Sequence, residues 1–85
     1  MNLAELRDKI AFTDKRILSL VSERMQIASE VGKVKKESGT PVLNKEVEEA
    51  VISRYRNFAE EEGLNPDFAE ELAVLLMTWS KKIQE

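Results

Sequence analysis

From Leu3 to Val34 the chain places Leu3, Leu6, Ile10, Thr13, Ile17, Leu20, Arg24, Ile27, Val31 and Val34 at alternating steps of three and four. That is the a/d pattern of a heptad, sustained without a proline. The stripe predicts one helix of roughly 35 residues, about 50 Å long at about 1.5 Å per residue. A compact chain of 85 residues has a radius of gyration near about 12 Å, too small to cover a helix of that length. The seam therefore calls for a second chain, and a homodimer of paired long helices is the simplest solution.

The remaining punctuation divides the chain into helices. Asn2 followed by Glu5 reads as a capping box opening the first helix, which ends near Ser38-Gly39 with Pro41 beyond as a stop. Gly32 is the only weak point along it. Asn44 is a good N-cap for a second helix with the stripe Val47, Val51, Tyr55 (or Arg54) and Phe58, closed by Gly63. Asn65-Pro66-Asp67 starts a third, whose face is read as Phe68, Leu72, Leu75 (or Leu76) and Trp79 (or Ile83). No run has strand periodicity. The expectation is an all-α fold, one domain over residues 1–85, with one long and two shorter helices.

Composition then limits the chemistry. The chain has no Cys and no His, so disulfides, thiol nucleophiles, imidazole bases and Cys- or His-ligated metals are all excluded. No cofactor is implied, and nothing in the spacing of the acidic residues argues for a metal site. A net charge of −3 disfavours a general nucleic-acid binder. The N-terminus lacks an apolar signal core and no stretch reaches a membrane span, so a cytoplasmic location is expected.

Polar residues then stand out where the pattern wants apolar ones. Arg24 sits in the seam and needs a carboxylate or an anion; the plain reading is an interchain ion pair. Lys35 lies eleven residues on, within roughly 20° of Arg24 around the helix at about 100° per residue. The axial gap between them, about 16 Å, suits a small ligand. Taken alone, Lys35 reads as a solvated lysine near a helix end. Arg7 faces roughly 100° away and can serve the same ligand only from a partner chain; otherwise it is an ordinary surface arginine. Ser80 and Gln84 continue the inward stripe Ala73, Leu76 with a hydroxyl and an amide, unless both are simply solvated. The acidic residues Glu46, Glu48, Glu49 and Glu60 to Glu62 read as solvated faces, and Thr13 as bonding back to its own helix.

The ordered set Leu6-Arg7-Asp8-Lys9-Ile10 with Asp14, Glu23-Arg24, Val31-Gly32-Lys33-Val34-Lys35, Pro41-Val42, Glu48, and Ser80 with Gln84 resembles the all-helical (AroQ-class) chorismate mutase family. The likeness runs the length of the chain. It implies an intertwined homodimer that converts chorismate to prephenate, the branch step toward phenylalanine and tyrosine. By the same resemblance, Arg24 and a partner's Arg7 hold the two substrate carboxylates. Lys35 and Gln84 donate to the ether oxygen whose bond breaks. Glu48, with backbone groups near Asn44, holds the ring hydroxyl, and Ser80 supports a carboxylate. Such a rearrangement needs no nucleophile and no proton transfer, which suits a chain without His or Cys.

Two positions depart from the family pattern. Many relatives carry Asp where this chain has Asn44, a mild change, and Arg where it has Val47, which removes a cation beside the site. Arg54 lies two turns further on. Two other readings stay open: an isochorismate pyruvate-lyase-like enzyme, suggested by Val47 and a tryptophan in the third helix, and a non-catalytic helical dimerisation or regulatory module. Arg24 and Lys35 on one face argue against the module, because a dimer seam alone prefers apolar residues.

Overall fold

A computed structural model describes residues 1–85 as three helices without strands: α1 (Leu3–Ser38), α2 (Lys45–Glu62) and α3 (Pro66–Gln84). Each begins where an asparagine can cap it. Asn2 accepts from the Glu5 N–H at 2.8 Å, Asn44 from Val47 at 3.1 Å and Asn65 from Asp67 at 2.8 Å. At the first cap, Glu5 answers through its carboxylate to the Asn2 side-chain amide (3.2 Å) rather than to the backbone, so the box is only half of the expected form. Thr13 bonds back to Lys9 O at 2.9 Å, as expected of a hydroxyl on a helix surface.

The two shorter turns follow from glycine. Gly39 and Gly63 end α1 and α2 with φ of 71° and 72°, a left-handed conformation that side chains resist. Thr40 N–H then reaches back to Lys35 O, and Leu64 N–H to Ala59 O, each at 2.8 Å. These caps reverse the chain twice and lay α3 between the other two helices. It packs on α1 along one side and on α2 along the other, whereas α1 and α2 do not pack on each other.

Small residues make these interfaces: Ala28 and Gly32 on α1, Val51 and Ala59 on α2, and Ala69, Ala73, Leu76 and Ser80 on α3 are the buried positions. The inward stripe Ala73, Leu76, Ser80 is as the spacing predicts. Of the face expected for α3, only the alternative Leu76 is buried. Phe68, Leu72, Leu75, Trp79 and Ile83 remain 38–55% exposed, because alanines allow closer helix approach than bulky residues do. On α2, Val47 and Phe58 are likewise more than half exposed, and only Val51 of the expected stripe is buried. Arg56 ties the two helices at their turn, donating to Asp67 at 3.0 Å and Glu70 at 3.1 Å. The Asp67 hydrogen bond raises the already high pKa of this guanidinium.

The chain is elongated, 55 × 23 × 15 Å with a radius of gyration of 15.9 Å. Every residue from Met1 to Leu20 is exposed, including Leu6, Ile10, Ile17 and Leu20 of the heptad stripe. Only eight of 85 residues are buried, so most of the apolar stripe on α1 has no cover within the chain. No helix is long and apolar enough to cross a membrane.

Candidate active site

Because α1 and α2 stand apart with α3 beneath them, a cavity of about 270 Å³ opens between the three helices. Arg24 and Lys35 project into it from α1, Asn44 and Glu48 from the start of α2, and Ser80 and Gln84 from α3. Six of the seven residues singled out in the sequence thus meet in one place. Arg7 is the exception: it lies exposed on α1 and does not line the cavity. Seventeen residues separate it from Arg24, roughly 25 Å of helix.

Arg24 is held within its own chain. Its Nη1 donates to Ser80 Oγ at 2.7 Å, and the same hydroxyl donates to Leu76 O at 2.7 Å. Within its own chain Arg24 meets a hydroxyl and no carboxylate. A guanidinium with one N–H fixed by a neutral hydroxyl keeps its charge and its other donors for an anion. Ser80 is buried, so the solvated reading is corrected.

Lys35 is also held. Its Nζ donates to Val42 O at 2.9 Å and to Gln84 Oε1 at 3.1 Å. The first bond needs the chain to double back just after Gly39, and the second brings the ends of α1 and α3 together. The reading of Lys35 as a freely solvated lysine is therefore corrected. Gln84 accepts through Oε1, which leaves its NH₂ as the group with protons to give.

Gly32 explains how α3 comes so close. A Cβ at this position would lie 2.9 Å from Gln84 Cα and 3.0 Å from its Cγ. The glycine read as a weak point in the helix is the place where the backbone of α3 rests on α1 and sets Gln84 beside Lys35.

The remaining lining is mostly apolar, with Ile27, Ala28 and Val31 from α1, Val42 before α2, Val47 and Val51 from α2, and Met77 from α3. Such walls lower the local dielectric and strengthen the interactions of the fixed cations with a bound anion. Val47 places an aliphatic side chain in the wall, and Arg54 is exposed and does not line the cavity.

Lys81 was missed in the sequence. Its Nζ lies 3.3 Å from each carboxylate oxygen of Glu48, across the mouth between α3 and α2. The signal was present: Lys81 stands three residues before Gln84, about 60° from it around the helix. Glu48 is accordingly paired rather than part of a solvated face.

A pocket with three cations, one of them paired to its single carboxylate, and an amide donor is built to hold a small polyanion and to stabilise charge on an oxygen. The family model for chorismate mutase type II matches residues 6–85, and the chain belongs to that family. It is 30% identical over 83 residues to the Methanocaldococcus jannaschii protein named chorismate mutase, covering 98% of this chain and 84% of that one. It is 37% identical over 70 residues to the T-protein of Enterobacter agglomerans, and 31% identical over 83 residues to the bifunctional chorismate mutase/prephenate dehydratase of Escherichia coli K12. Those matches take in 82% and 98% of this chain but span only 19% and 22% of the larger proteins. Family membership makes the chain an isomerase-type enzyme of aromatic amino acid biosynthesis.

Proposed function

We propose that this family member binds chorismate in the cavity between its three helices and rearranges it there to prephenate. The observation that carries the reading is the convergence of Arg24, Lys35, Asn44, Glu48, Ser80 and Gln84 on one partly apolar cavity. In the reaction one carbon–oxygen bond of the ether breaks while one carbon–carbon bond forms, within a single molecule and without loss or gain of a proton. The protein has two tasks, to hold the compact conformer in which the two ends meet and to stabilise the charge that grows on the ether oxygen.

Arg24, steadied by Ser80, takes one carboxylate. Lys35 and the NH₂ of Gln84 lie side by side and donate to the ether oxygen. Glu48, with the backbone near Asn44, accepts the ring hydroxyl. The second carboxylate requires a further cation, supplied in this proposal by the partner subunit's Arg7 in a homodimer. The bare apolar stripe from Leu3 to Leu20 supports the pairing, since exposed apolar area of that extent marks an interface.

The apolar Val47 in the wall favours one alternative, a pericyclic lyase of the isochorismate pyruvate-lyase kind. Purified protein incubated with chorismate and, separately, with isochorismate distinguishes them. Prephenate from chorismate supports the proposal; pyruvate from isochorismate supports the alternative. Turnover of neither leaves a non-catalytic helical module.

A further inference from the structure

Lys81 is the cation of the cavity that the proposed chemistry does not use. It reaches from α3 to Glu48 on α2 and touches both carboxylate oxygens equally, at 3.3 Å, with the side chains 36% and 26% exposed. Glu48 is the only carboxylate among the lining residues, and Lys81 is its only side-chain partner. A substrate with two carboxylates has to settle beside it. In a cavity walled by Val47, Val51 and Met77, an unpaired carboxylate would repel such a substrate more strongly than it would in open water. The bridging ammonium cancels that charge and fixes the carboxylate plane. Arg24 and the partner subunit's Arg7 are then left for the two substrate carboxylates, and Lys35 for the ether oxygen. With Val47 aliphatic and Arg54 outside the cavity, α2 offers no cation that could do the same.

We infer that Lys81 is a specificity-determining positioning residue. It masks and orients Glu48, so that a carboxylate needed to accept a hydrogen bond from the ring hydroxyl can stand in a site for a dianion. The inference rests on the proposed function and deepens it. The roles are separable: Glu48 meets the substrate, and Lys81 acts through Glu48.

The test is a double-mutant cycle on chorismate turnover with Lys81→Met, Glu48→Gln and the double variant, and with Lys81→Arg as the conservative control. Lys81→Met is expected to raise KM about tenfold while kcat stays within about twofold, because repulsion acts on binding. Lys81→Arg restores KM. The double variant binds better than Lys81→Met and matches Glu48→Gln, since no charge is left to mask. A wild-type KM in Lys81→Met overturns the inference. So do penalties that simply multiply in the double variant, which would place Lys81 directly on the substrate. Lys81→Gln, read the same way, replaces Lys81→Met should that chain fail to fold. If the wild-type protein binds chorismate without converting it, the proposed function fails, and calorimetric Kd values for chorismate across the same variants decide the role of Lys81. Absence of binding overturns both.

Discussion

Lys35 Nζ and Gln84 Oε1 lie 3.1 Å apart, joining the last turns of α1 and α3 across 49 residues of chain. The contact organises one end of the cavity. Lys35 gives a second proton to Val42 O at 2.9 Å, which leaves one ammonium proton for a ligand. Gln84, accepting from Lys35, turns its NH₂ into the neighbouring donor. Two donors held by protein contacts cost little to reorganise when charge develops, which is the condition for electrostatic catalysis.

The approach that creates this pair passes through Gly32. Replacing Gly32 with Ala sets a Cβ 2.9 Å from the α3 backbone at Gln84 Cα, so α3 must move. Overpacking of this kind costs about 1–3 kcal/mol, against roughly 1 kcal/mol gained from helix propensity. The expected result is a thermal midpoint lower by about 5 °C and a fall in kcat as Gln84 leaves Lys35. A stabilised Gly32→Ala chain with an unchanged rate would show that the close approach is incidental.

Ser80→Ala tests how Arg24 is held. The hydroxyl that accepts from Arg24 Nη1 at 2.7 Å is lost, and with it a charge-assisted bond in a part-buried setting. A loss of about 1–2 kcal/mol in substrate binding corresponds to a KM higher by roughly tenfold. Steady-state kinetics beside a thermal melt separate this from a packing defect. An unaltered KM would reduce Ser80 to a filler of the helix interface.

Much of this was legible in the sequence because helix periodicity and capping are local. The asparagine caps and terminal glycines are signals local to each helix, and the placing of Arg24 and Lys35 on one face follows from spacing along α1. Ser80 and Gln84 could be placed because they continue the stripe begun by Ala73 and Leu76. What could not be read is what depends on which faces approach most closely. The bulky stripe Phe68, Leu72, Leu75 (or Leu76) and Trp79 (or Ile83) promised the packed face of α3, yet of these only Leu76 is buried, with the alanines beside it. Gly32 looked like a flaw because its reason lies in α3, and Lys81 went unremarked because its partner lies on α2. Arg7 reads as reaching the ligand only from a partner chain, and no group of its own chain draws it into the cavity.

The proposed sharing of the site between two chains is open to complementation. Arg7→Ala and Arg24→Ala homodimers are each expected to be inactive. When equal amounts are unfolded and refolded together, half the dimers are mixed and each mixed dimer carries one intact site. About a quarter of wild-type activity should return. An inactive mixture in which an affinity-tagged Arg7→Ala chain pulls down the untagged Arg24→Ala chain would confine the site to one chain.

The central claim is that fixed donors, Lys35 first among them, convert chorismate without acid–base chemistry. Its most direct measurement is the single-turnover rate of prephenate formation at saturating chorismate for the wild-type chain and for Lys35→Ala. Removing a donor from the developing oxyanion is predicted to slow the step by about 10²–10³-fold, with helicity and sedimentation unchanged. A Lys35→Ala protein that forms prephenate at the wild-type rate would contradict the account.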